Sequence, residues 1–233
     1  MEKSKSCLKP VALAFVLTEF VLGVLVQLIG GDIKRILCFS SVALSLVFSI
    51  IILNKSSERV TTSLALLFTV VSDVFLVLCS PPKRIVAMLS FSAVQICYFL
   101  RLYLNTNEKR EKTRHLAIRC LLIFAFMLAC ALVLWDGCDA LSLISVFYFA
   151  NLLTNLIVAF LKKGESILFP LGLLCFALCD LFVGFSVMSE LYFEFAEGTI
   201  FYNLANPPLD LVWIFYVPSQ TLIPLSLITK KQG

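Results

Sequence analysis

The chain has 233 residues, 60% of them hydrophobic and only 15% charged, with a mean hydropathy of +0.98, whereas a soluble domain carries roughly 25% charged residues. An ordinary water-soluble fold is excluded, because too few polar side chains are present to cover its surface. The net charge of +4, from 19 Lys and Arg against 15 Asp and Glu, forms no basic stripe interleaved with aromatics, so no nucleic-acid partner is expected and the surroundings are a lipid bilayer.

A hydrocarbon core of roughly 30 Å takes about 20 apolar residues per helix. Eight such runs follow one another, at 8–29, 33–53, 60–79, 85–104, 116–135, 140–161, 167–188 and 209–229. The expectation is an all-α membrane protein of eight transmembrane helices in a single integral domain, 1–233. The first run follows Lys3, Lys5 and Lys9 as a signal peptide would, but it is too long and lacks a small-residue cleavage site, so it reads as a retained helix. Glu19 lies within it, with Gly23 and Gln27 along the same face.

The third run carries Ser72 and Asp73, and the fourth carries Gln95 and Tyr98 at mid-span. The charged connector 105–115 reads as a solvated loop without chemistry. On the sixth run Asn151 and Asn155 are spaced i, i+4, with Tyr148 on the same face. Asp180 sits in the seventh, and no break is expected in the helix beside either aspartate. Between the last two runs, Tyr192, Phe193, Phe195, Phe201 and Tyr202 mix with Glu190, Glu194 and Glu197 at helical spacing, which predicts an interfacial helix. In the eighth run Tyr216 and Gln220 accompany Pro218 and Pro224, which free the carbonyls of Ile214 and Gln220. Free carbonyls are tolerated at membrane depth where they line a cavity or meet a polar neighbour.

Eight spans put both termini on one side. The terminal segments and the loops after the second, fourth and sixth runs hold fifteen of the nineteen basic residues, and the other side keeps Lys34, Arg35, Lys83 and Arg84. The positive-inside rule therefore places both termini in the cytoplasm of a multi-pass cell-membrane protein, with Trp135 and Trp213 at the outer interface. The nine cysteines form no paired metal-ligand spacing and His115 is the single histidine. No metal or cofactor is expected.

Leu64, Leu66, Leu67, Asp73 and Phe75 match Leu171, Leu173, Leu174, Asp180 and Phe182 at one offset. Leucine matches are cheap in apolar helices, but an acid near the bilayer centre costs at least roughly 2.5 to 3.5 kcal/mol. The repeat suggests two four-helix halves related by a pseudo-two-fold along the membrane normal. Each aspartate then lies roughly 20 Å from its cytoplasmic helix end. Facing each other across a cavity, two buried carboxyls would share one proton, the arrangement acid–base chemistry requires. The alternative is two unrelated aspartates capped locally, as Ser72 could cap Asp73. For Gln95, Tyr98, Tyr148, Asn151, Asn155, Tyr216 and Gln220 a supporting role in such a site stands beside simple interhelical bonding, worth roughly 0.6 kcal/mol each. Glu19, whose charge must be neutralised or paired, is a further site candidate.

Most of the chain resembles the lysoplasmalogenase, or YhhN-like, family of membrane proteins. Ser72-Asp73-Val74-Phe75-Leu76 is similar to the family's Gly-Asp-x-Phe-Leu, and Phe176-Ala177-Leu178-Cys179-Asp180 to its Phe-x-x-Ser-Asp. Phe91, Gln95 and Tyr98 resemble Phe-x-x-x-His-x-x-Tyr; Tyr216, Gln220 and Ile223 meet Tyr-x-x-x-Gln-x-x-Ile. Serine replaces a glycine, cysteine a serine, and Gln95 the usual histidine. The resemblance implies a membrane lipid substrate of lysophospholipid type, whose vinyl ether bond is hydrolysed to a fatty aldehyde and a glycerophospho-base, with Asp73 and Asp180 sharing the acid and stabilising roles. The competing reading is a small proton-coupled transporter using the same acids.

Overall fold

The computed structural model describes the backbone of residues 2–52, 56–106, 108–134 and 138–229, and all of their side chains except those of 2–7 and 134. Among the described residues there are nine helices and no strands. In chain order they are α1 (Glu2–Leu28), α2 (Gly31–Ile51), α3 (Ser57–Asp73), α4 (Arg84–Leu104), α5 (Lys109–Leu134), α6 (Ala140–Leu161), α7 (Leu168–Leu191), α8 (Ile200–Ala205) and α9 (Leu211–Thr229). All but α8 are long and apolar enough to cross a membrane, α3 together with its continuation to Leu78, which makes this a multi-pass membrane protein. Trp135 and Asp136 lie outside the described residues, as do Lys55, Lys230 and Lys231.

Burial sorts the helices into layers. Half of the apolar span is buried in α4, α6 and α9, against 6% in α5, so the first three form the middle of the bundle and α5 packs chiefly against α6. The outward residues of α5, such as Leu121, Phe124 and Val133, are exposed and face the acyl chains. Polar side chains point inward instead: Ser45, Thr69, Gln95, Thr154, Ser219 and Ser226 are all sealed from the surface. α7 and α9 pack tightly at Gly172, where a Cβ would stand 2.7 Å from Ile223 Cγ1 and 3.2 Å from Ile223 N. Only glycine allows that approach.

Several local details depart from the sequence expectations. Asp73 ends the α-helical part of α3, and Val74–Leu78 continues as a π-helical turn in which the Cys79 N–H reaches back to the Val74 carbonyl at 3.0 Å. The helix beside Asp73 is therefore not regular. Arg35 on α2 steadies this end by donating from Nε to the Val77 carbonyl at 2.7 Å. α5 starts at Lys109, so most of the charged connector is helical, as suits its Lys, Arg and Glu content. The expected interfacial helix shrinks to α8, six residues long; Glu194 and Glu197 lie outside it, and Glu190 belongs to the last turn of α7. α9 runs through Pro218 and Pro224 without a break.

Candidate active site at the floor of an apolar cavity

Asp73 is 1% exposed and accepts a hydrogen bond from the Tyr216 hydroxyl at 2.8 Å. Asp180, midway along α7, accepts a short hydrogen bond from the Tyr148 hydroxyl of α6. Among the described residues no hydrogen bond joins the two carboxyls directly. The two Asp–Tyr pairs are linked through aromatic rings: Tyr148 packs on Phe91 at 5.6 Å, Phe91 on Phe176 at 5.9 Å, and Phe176 on Tyr216 at 5.6 Å. The tyrosines come from helices six and eight of the eight spans, which a two-fold relating helices three and seven would not exchange. The hydrogen bonding around the two aspartates is thus unsymmetrical.

The acids also differ in what they can reach. Asp180 and Tyr148 line a cavity of about 370 Å3 between α4, α5, α6 and α7, whose wall is apolar and includes Leu76, Met88, Phe126 and Val183. That volume falls within the roughly 300–1,000 Å3 of small-molecule sites. Asp73 does not line it and stands behind, against Tyr216. Gly184 faces the open space, for a Cβ there would meet nothing within 4 Å. Cavity length is gained where a side chain is missing.

Below the aspartate level, one face of α6 continues as a polar seam. Asn155 donates from Nδ2 to Gln95, at 2.9 Å to its backbone oxygen and 3.0 Å to Oε1. Asn151 and Asn155 both accept from Arg119 of α5, the latter at 2.5 Å, and Phe99 stacks beneath its guanidinium at 4.2 Å. Gln95 Nε2, Tyr98 Oη and Gln220 Oε1 are buried without a hydrogen-bond partner, and such atoms in a polar interior mark places for water. Glu19 lies elsewhere, held by Ser41 at 2.5 Å and Ser45 at 3.2 Å in the α1–α2 seam. It does not line the cavity.

Two interior cations carry no signature in the sequence. Arg101 is fully buried, pairs with Glu165 at 2.7 Å, and bonds Thr62 and Ser226, and Arg119 holds the two asparagines. The outer rim was not legible either. There Arg84 lines the cavity, and Tyr192 donates to Asp139, the N-cap of α6, at 2.8 Å. The Ser142 backbone N–H holds the Asp139 carboxyl below its ordinary range, while burial, aided by the bond to Asp139, pushes the Tyr192 hydroxyl up to about 12. Among the described residues no three His, Cys, Asp or Glu side chains converge as metal ligands would.

One family model, that of the YhhN family, matches residues 34–227. No curated protein and no solved structure matches the chain.

Proposed function

The chain belongs to the YhhN family, and from that premise we propose that it is an intramembrane lipid hydrolase that cleaves the vinyl ether bond of lysoplasmalogens. The observation that carries the reading is a carboxyl, Asp180, oriented by Tyr148 at the floor of an apolar cavity large enough for a lipid segment. A carboxylic acid transfers its proton to the outer carbon of the vinyl ether, and the electron pair of the double bond forms the new C–H bond. The resulting oxocarbenium ion is stabilised by carboxylate charge, as in glycoside hydrolysis. Water adds to that cation, loses a proton to the carboxylate, and the hemiacetal collapses to a fatty aldehyde and a glycerophospho-base.

In this reading Asp180, which lines the cavity, donates the proton. Asp73, sealed behind it with Tyr216, supplies negative charge on the far side and favours the cation. The partly unsatisfied polar atoms of Gln95, Tyr98 and Gln220 support an inner store of water for the second step. Both termini face the cytoplasm of the cell membrane in this reading, by the distribution of Lys and Arg.

The test is aldehyde release by the purified chain from lysoplasmalogen and from its ester-linked analogue. Only the vinyl ether should yield aldehyde, and Asp180→Asn should lower the rate by roughly 10² to 10⁴. Aldehyde formation that survives both Asp180→Asn and Asp73→Asn would sink the assignment. Uptake of a lipid or of protons into proteoliposomes with no aldehyde at all would favour the transporter reading.

A further inference from the structure

Between the Asp180 carboxyl at its floor and Arg84 at its mouth the cavity wall is mostly apolar. Arg84, the first residue of α4, lines it there and holds both oxygens of Glu190 through one Nη2, at 2.9 and 2.7 Å. Glu190 does not line the cavity, and its side chain is 57% exposed against 28% for Arg84. The cation is turned toward the cavity and its counter-ion toward solvent. An exposed pair of this kind contributes little to stability, so exchanging Glu190 for another anion costs little. Lys83 and the positive end of the α4 dipole add charge of the same sign, which an anion with more acceptor oxygens than a carboxylate can use. At the same end of the cavity Tyr192, which lines it, donates to Asp139 at 2.8 Å.

We infer that this mouth is a headgroup site for a zwitterionic single-chain phospholipid, in which Arg84 takes the phosphate in place of Glu190, and Glu190, once freed, faces the cationic base with Asp139. The inference rests on the lipid reading above and adds orientation to it. Glu190 lies ten residues beyond Asp180 on α7, roughly 15 Å along the axis at 1.5 Å per residue. A glycerophosphate with one interaction at each end bridges that span, which sets the bond next to the glycerol at Asp180. The hydrocarbon tail leaves past Phe126 on α5, the least buried of the spans. The lipid enters from the leaflet on the side of the α3–α4 and α7–α8 loops, the side poor in basic residues.

Binding of three uncleavable probes to the full chain in nanodiscs tests this: 1-O-alkyl-glycerophosphocholine, 1-O-alkyl-glycerol 3-phosphate, and 1-O-alkyl-glycerol. Arg84→Gln should weaken both phosphate-bearing probes about tenfold or more and leave alkylglycerol unchanged, as expected for a lost charged hydrogen bond. Glu190→Gln releases Arg84 and removes a partner for the base, so it should tighten the alkylglycerol phosphate and fail to tighten the phosphocholine lipid. The site is overturned if folded Arg84→Gln weakens all three probes alike or none of them, or if Glu190→Gln leaves the phosphate probe unmoved. Should Arg84→Gln fail to fold by size-exclusion and circular dichroism, the Glu190→Gln result decides alone. None of these measurements requires turnover, so a chain that binds the probes but releases no aldehyde would count against hydrolysis and not against the headgroup site.

Discussion

Tyr148 donates its hydroxyl to Asp180 at the floor of the cavity, and among the described residues this is the one tyrosine–aspartate pair whose two members both meet that space. The phenol bonds one carboxylate oxygen and so fixes the direction of the carboxyl. Removing it leaves Asp180 with one donor fewer and free to rotate. A hydrogen bond to a charged group is worth roughly 1.5–3 kcal/mol, so Tyr148→Phe should lower kcat about tenfold to a hundredfold. KM should change little, because the apolar wall is untouched. A variant with unaltered kcat would remove Tyr148 from the reaction.

Gly184 offers a way to close the cavity without disturbing the packing. A Cβ at this position meets nothing within 4 Å, and the residue lines the space between Asp180 and the mouth. Gly184→Leu should fill the space a lipid needs and abolish turnover, while thermal stability stays level or rises. The rise is expected because glycine in a helix interior is worth roughly 0.8–1.0 kcal/mol less than alanine, and leucine is close to alanine. Melting temperature and aldehyde release, measured together, check the pair of outcomes; full activity in Gly184→Leu would mean that the lipid uses another path.

The helix count and the two aspartates were legible in the sequence because each has a strong one-dimensional signal. Twenty apolar residues in a row, or an acid within such a run, costs too much to be accidental. The π-helical turn after Asp73 was not legible: Val74-Phe75-Leu76-Val77-Leu78 contains no Pro or Gly to mark it, and the carbonyls it frees are met by Arg35 from another helix. The burial of Arg101 was not legible for a related reason. The residue lies in the last turn of its helix, where basic residues ordinarily reach water, and its acid partner is 64 positions away. The polar seam of α6 was seen as two asparagines, but its cation, Arg119, comes from α5, and no spacing rule connects them.

Asp139 gives the rim a pH dependence whose sign can be stated. Its carboxyl caps α6 through the Ser142 N–H at 2.8 Å, which holds its pKa below the ordinary value. A group lowered on folding stabilises the protein above its unfolded pKa, roughly 3.9 for aspartate, and loses that contribution as the pH falls through the lower folded value. Asp139→Ala should therefore cost about 1 kcal/mol at neutral pH, typical of a lost N-cap. The gap in melting temperature between the two proteins should narrow below about pH 4. A gap that is constant from neutral to acid pH would show that the cap does not depend on the carboxylate charge.

Arg101 and Glu165 form the most deeply buried ion pair among the described residues, with side chains 0% and 2% exposed. The guanidinium also stacks 3.7 Å from the centre of the Phe169 ring and bonds Thr62 and Ser226, so it joins α3, α4, α7 and α9 at one end of the bundle. Two charges withdrawn from water repay much of their desolvation through each other. Removing one leaves the other charged and buried without this ion pair, at a cost of roughly 3–5 kcal/mol. Arg101→Leu and Glu165→Leu should each lower the melting temperature sharply. The double variant should lose less than the sum of the two, because no isolated charge remains in the interior. Additive losses would show that the two residues stabilise the bundle through separate contacts, and Arg101 would then be held by Thr62, Ser226 and Phe169 and not by the acid.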